Sequence, residues 1–201
     1  MRCRKWWTAS SEENGTDDAE AVARACGGDR DAYGVLVARY TADAHRTAFL
    51  LGAGDDADDV VQEAFVKAFR GLRRFRAGAA FRPWLLRIVA NETRNLQRSR
   101  RRRSAATDRL AQTLPDAVDP DGPESRLLTA EARAALLAAV HALPDRDRRV
   151  VACRYFLDLS EAETAQVLGW RRGTVKSRLS RALVKLRPAL TTAAHQEARH
   201  G

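Results

Sequence analysis

Arg171, Arg172, Thr174, Lys176, Ser177, Arg178 and Arg181 lie close together late in the chain. Guanidinium groups read guanine edges, ammonium groups hold phosphate, and hydroxyls reach phosphates or bases. The chemistry they offer is recognition of nucleic acid. A second group lies upstream, where Phe75, Arg76, Phe81, Arg82 and Trp84 interleave rings with cations, and Asn91, Arg94, Asn95 and Arg98 follow. Bases stack on such rings while arginine holds the backbone, which suits a single strand. The plainer account makes Phe75, Phe81 and Trp84 core and the arginines a solvated face; for Trp84, packing is at least as good an account as stacking. For Arg100 to Arg103 a nucleic-acid contact is the better account, because adjacent cations repel without an anion.

A third group is acidic: Asp55, Asp56, Asp58, Asp59, Gln62 and Glu63. Acid near a helix start favours the helix dipole. That explains Asp55 and Asp56 but not Glu63, which lies beyond a first turn. In a basic chain such a patch suits an interface with a basic protein.

Nothing in the sequence invites bond-making chemistry. Cys3, Cys26 and Cys153 form no CxxC pair, and His45, His141, His195 and His200 sit alone. No Cys/His metal spacing, Ser/His/Asp grouping, GxGxxG or Walker loop occurs. The expectation is no catalytic residue, no metal and no cofactor. The thiols read as reduced and cytosolic, with Cys153 in the core. The chain has 201 residues, a formal charge of +9 and only 6% aromatics. Without alternating β-branched runs, the class is all-α. The charge suits nucleic acid or an anionic membrane surface. No apolar run approaches the length of a span, and no secretory signal opens the chain.

These groups need elements to present them. From Leu159 to Arg187 the sequence is LSEAETAQVLGWRRGTVKSRLSRALVKLR. Ser160 and Glu163 match a capping box. Ala165 and Leu168 face inward, and Gly169 supplies a stop. A second helix starts near Arg172, with Val175, Leu179, Ala182 and Leu186 as its buried stripe. Gly173, Thr174, Ser177, Ser180 and Arg181 lie opposite, flanked by Lys176 and Arg178. This is the plan of a helix-turn-helix; an ordinary αα-hairpin with a solvated basic face is the alternative.

Upstream, residues 1–16 read as a disordered leader containing Trp6 and Trp7. A short helix from Asp17 ends at Gly27-Gly28. A longer one follows from Asp29, with Tyr33, Leu36, Val37, Tyr40, Ala44, Thr47, Ala48 and Leu51 on one side. Gly52 and Gly54 break it. Asp55 is the expected cap of a third helix, striped by Val61, Ala64, Phe65, Ala68 and Leu72. After a loop around Gly78, Pro83 fits the first position of a fourth helix, packed by Leu85, Ile88, Val89 and Leu96. Residues 104–126, with Pro115, Pro120, Gly122 and Pro123, read as a flexible linker. Beyond it Leu128, Leu136, Val140 and Leu143 mark a helix. Pro144 opens another, with Val150, Val151 and Tyr155 inward. The organisation is two small helical domains, 17–103 and 127–190, and a frayed tail, 191–201.

Both halves together resemble bacterial sigma factors of the extracytoplasmic-function group. DDADDVVQEAFVKAF and FRPWLLRIVAN are similar to that family's region two, and LPDRDRRVVACRYFLDLSEAETAQVLG and GTVKSRLSRALVKLR to its region four. The resemblance covers roughly residues 17 to 103 and 127 to 187. It implies that Asp58, Asp59, Gln62 and Glu63 dock on core RNA polymerase. It implies that Phe75, Arg76, Phe81, Arg82 and Trp84 capture and open the −10 element on the non-template strand, with Asn91, Arg94, Asn95 and Arg98 on the adjoining helix. It makes the Arg171 to Arg181 helix the reader of the −35 element, in duplex form. It also implies an anti-sigma factor, a cytoplasmic location and no small-molecule substrate. Thr164 and Arg171-Arg172 depart from the family pattern, and the leader has no counterpart in it. The rival is an operator-binding helix-turn-helix regulator, which explains only the second half. A nucleic-acid enzyme would need carboxylates around a metal, for which Asp55 to Asp59 is the sole candidate run.

Overall fold

A computed structural model of the protein describes residues 10–75, 79–106 and 130–200. Every regular element among them is helical. The chain divides into two compact units, the first built on the N-terminal four helices and the second on the C-terminal ones.

In the first unit, α1 (Ser10–Cys26) packs on α2 (Arg30–Leu50), and α3 (Ala57–Gly71) on α4 (Phe81–Ala106). Asp29 caps α2, its Oδ1 accepting from the backbone of Asp31 and Ala32 at 3.0 Å each. The predicted α2 stripe is the buried one: Leu36, Tyr40, Ala44, Thr47, Ala48 and Leu51 are buried, with Tyr33 and Val37 partly so. Gly52 takes φ +97° and receives Gln97 of α4, whose Nε2 donates to Leu51 O (2.8 Å) and Gly52 O (3.3 Å). A Cβ at position 52 would lie 2.5 Å from that nitrogen. Val61, Ala64, Phe65, Ala68 and Leu72 then join Leu85 and Val89 in one core.

Four expectations need correction here. Residues 10–16 are not part of a leader but the start of α1. Asp55 is not a cap, because Gly54–Asp56 winds as a 3-10 turn and α3 begins at Ala57 with no side-chain cap bond. Pro83 is not the first residue of α4, which begins at Phe81; it sits within the first turn, where its missing N–H has no intrahelical partner anyway. Residues 104–106 continue α4 instead of opening the linker. Residues 1–9, with Trp6 and Trp7, and 107–126 of the expected linker lie outside the described residues, as does Leu128.

The C-terminal helices are α5 (Ala130–His141), α6 (Asp145–Val151), α7 (Glu161–Leu168) and α8 (Arg172–His200). Pro144 precedes α6 in extended geometry. Ala152–Phe156 then winds as a π-turn. The wider turn rotates Tyr155 outward, so it is 60% exposed and not inward as its spacing predicts. Burial pushes the Cys153 thiol up to about 12. The capping box forms as read: Ser160 N donates to Glu163 Oε2 (2.8 Å), and Glu163 N to Ser160 Oγ (3.2 Å). Gly169, at φ +69°, ends α7, with Trp170 N donating to Ala165 O (2.9 Å) and Gly169 N to Gln166 O (3.3 Å). That pair of bonds is a Schellman stop. Val175, Ala182 and Leu186 of α8 are buried and Leu179 partly so. The expected frayed end is instead helix, since α8 runs through Pro188 to His200.

Candidate nucleic-acid and protein interfaces

On α3, Asp58, Asp59, Gln62 and Glu63 are all exposed. The helix turns its apolar stripe to the core, so its acids share the outer side. They are not bare. Asp58 lies 3.2 Å from His45 Nε2. Lys67 reaches Glu63 at 3.2 Å and Glu92 of α4 at 2.5 Å. The bond to Glu92 chiefly holds the Lys67 ammonium above its ordinary value. Arg100 of α4 pairs with Asp56 at 2.5 Å. The result is a shallow groove between α3 and α4, edged by Asp59, Glu63, Glu92 and Asn95. It offers an acidic surface to a basic partner.

The aromatic group is a built cluster. Phe75 and Trp84 are 5.0 Å apart centre to centre, Phe81 and Trp84 5.6 Å, and Phe75 and Phe81 6.0 Å. Tyr40 of α2 adds a fourth ring, 5.5 Å from Phe81. The two accounts of these residues turn out to apply to different rings. Phe81 is only 2% exposed. It is the floor of the cluster, so its assignment as a DNA contact is corrected to support. Phe75 and Trp84 are partly exposed above it. Gly71 permits this arrangement, since a Cβ there would stand 3.3 Å from the Trp84 ring. Arg82 Nε donates to Asp43 Oδ2 at 2.6 Å. Along α4, Arg94 donates to Asn91 Oδ1 (3.0 Å), while Asn95 and Arg98 are exposed. Arg76 lies outside the described residues. Sequence reasoning missed Tyr40, Asp43 and Gly71 as parts of this site. Asp43 left a signal: a charge next to an apolar stripe, one turn from Tyr40.

On α8, Arg172, Lys176, Ser177 and Arg181 are exposed, as is Arg171 just before it, and Thr174 is half-buried. Ser177 Oγ donates to Thr174 O (3.1 Å), and Arg181 Nε to Ser177 O (3.1 Å). Arg178 differs from the other cations of the set in being partly buried. It donates to Asp147 Oδ1 at 3.0 Å and lies 5.6 Å from the centre of the Trp170 ring. Asp147 is buried on α6 and also accepts from Lys185 at 3.0 Å. Burial alone would raise its pKa; hydrogen bonds and charges from Lys185 and Arg178 outweigh that and hold the carboxyl below its usual range. Arg178 therefore fastens α8 to α6. Asp147 is the residue that sequence reasoning missed here.

The Sigma-70 region 2 family model matches residues 36–103, and the Sigma-70 region 4 model residues 133–186. The chain is 33% identical over 174 residues to the ECF RNA polymerase sigma-E factor of Haemophilus influenzae, covering 82% of this chain and 90% of that one. It is 33% identical over 180 residues to the protein of that name from Escherichia coli, with the same coverage. Among solved structures it is similar to CnrH in complex with the cytosolic domain of CnrY, at 30% identity and a TM-score of 0.62, covering 88% of this chain and 98% of that one. The fold is also that of the sigma factor RpoE of Bartonella quintana in complex with the anti-sigma factor NepR, at 24% identity and a TM-score of 0.65, covering 79% and 96%.

Proposed function

The chain belongs to the extracytoplasmic-function group of RNA polymerase sigma factors, and from that premise we propose how its two units divide the work. It binds core RNA polymerase and directs promoter-specific initiation. The observation that carries this is the pair of matched regions, in order, on two separate helical units.

The acidic outer side of α3, with Asp58, Asp59, Gln62 and Glu63, is the polymerase-docking face. Phe75 and Trp84, with Arg82 beside them, capture bases of the −10 element as the strands part. Unstacking a base costs a few kcal/mol, roughly, so opening is confined to steps that unstack easily. Asn91, Arg94, Asn95 and Arg98 hold the same strand. Arg171, Arg172, Thr174, Lys176, Ser177 and Arg181 read the −35 duplex, where exposed donors reach phosphates and base edges. The polymerase forms the phosphodiester bonds, and the chain itself is not an enzyme. The site of action is the cytoplasm. An anti-sigma factor that covers these faces completes the reading; CnrH, similar over most of its length, was solved with a protein domain bound. No helix among the described residues is long and apolar enough to cross a membrane.

Transcription with purified core polymerase and a genomic promoter pool tests the reading. Promoter-specific transcripts are expected only when the chain is added. Operator binding without new transcripts would overturn it in favour of a repressor.

A further inference from the structure

One acid in the first unit is tied to the segment that carries the aromatic cluster. Asp43 lies on α2, one turn beyond Tyr40, whose ring packs on Phe81. Its Oδ2 accepts from Arg82 Nε at 2.6 Å, and the two side chains are 29% and 28% exposed. Arg82 is in the first turn of α4, where the helix dipole disfavours a cation. An anion beside it is therefore favourable, and Asp43 supplies one. The other nearby acid, Asp18, already accepts from Arg39 and Tyr40. A DNA phosphate is the same kind of ligand as Asp43: an oxyanion that takes charge-assisted hydrogen bonds from a guanidinium.

We propose that Asp43 stands in for phosphate and sets the strength of strand capture: it holds Arg82, the neighbour of Phe81 in the aromatic cluster, and must yield it when the strand enters. This rests on the −10 reading given above. Ion pairs open to solvent are weak, so the exchange is a tuning step and not a block. Displacing Asp43 costs every strand the same amount, because phosphate contact is independent of sequence. A strand held by phosphate contact alone then binds too weakly to persist, while one whose bases also stack on the rings stays bound.

The test uses the full chain and a fluorescent single-stranded oligo(dT) about 12 nucleotides long, the size that stacking grooves take. Phosphate contact carries no sequence information, so oligo(dT) reports it. Asp43→Asn keeps the shape and removes the charge. It is expected to tighten binding about three- to fivefold and to steepen the dependence of log K on log salt by about 0.7, one more phosphate neutralised on a single strand. Asp43→Glu, which keeps the charge, should bind as the parent does. Adding Arg82→Gln to Asp43→Asn should abolish the gain. Thermal melts of each variant separate these effects from unfolding. Unchanged affinity and slope in a folded Asp43→Asn would overturn the proposal, as would a gain that survives Arg82→Gln. Trp84→Ala in the same assay addresses the underlying reading. If it weakens binding while Asp43→Asn does nothing, only the Asp43 proposal fails. If it has no effect, the −10 assignment fails and takes the proposal with it.

Discussion

Thr164 is fully buried on α7, and its Oγ1 has no hydrogen-bond partner among the described residues. A buried hydroxyl left unpaired costs roughly 1–3 kcal/mol. The methyl group of the same side chain fills the core as an aliphatic residue would. The sequence already marks Thr164 as a departure from the family pattern. In the core its volume is right and its oxygen is not served. Valine keeps the volume and removes the oxygen. Thr164→Val is expected to stabilise the second unit by about 1 kcal/mol, a rise in Tm of roughly 4–8 °C for a unit of this size. Calorimetry on the two proteins decides it. A lower Tm in the variant would mean that the hydroxyl is satisfied after all.

Among elements, the tie between α6 and α8 is the one that no periodicity discloses. Capping boxes, glycine stops and apolar stripes use residues a few positions apart. Ser160 with Glu163, Gly169, and the Val175–Ala182–Leu186 stripe were therefore legible in the sequence. Asp147 meets Arg178 and Lys185 only after the chain has folded back, so Arg178 reads as one more basic residue on a DNA-binding face. Phe81 is the parallel case, since a ring between cations looks like a stacking surface until α2 sets Tyr40 beneath it. Tyr155 was misread for a different reason, a change of winding at the π-turn that shifts the helical phase. The Asp147 tie has a pH signature. Its folded pKa is depressed, so its contribution is whole above the unfolded-state value of about 3.9 and is lost as pH falls through the folded value. Asp147→Asn should cost about 2–3 kcal/mol at neutral pH, toward the low end for a broken buried pair because Lys185 can regain water. In urea titrations from pH 7 to acid, the gap between parent and variant should close as pH drops below about 4. A gap that stays constant would mean that packing, not charge, holds α6 to α8. Arg181→Ala, on the exposed face, should leave these titrations unchanged.

At the scale of the whole molecule, the two units matter because one chain carries both. Each presents a modest surface: a few arginines and two partly exposed rings in the first, and one basic helix turn in the second. Modules of this kind bind weakly when apart. Joined, the second contact forms at an effective concentration set by the connecting segment, and avidity exceeds either affinity without any new contact. The charge of +9 adds a salt-sensitive attraction to DNA that neither unit need supply in full. Polymerase adds a further constraint, because it fixes the distance at which both promoter elements are met together. This yields a prediction about covalent continuity. A protease site placed between residues 107 and 126, cut after the chain has bound core polymerase, should leave the first unit attached through α3. Initiation at promoters that need both elements should then fall about tenfold or more at dilute protein. Promoters with a strong −10 element alone should lose much less. Raising the concentration of the second unit should restore activity, because mass action replaces the lost tether. If cutting changes nothing at any dilution, polymerase contacts alone retain the second unit, and the connection serves assembly rather than recognition.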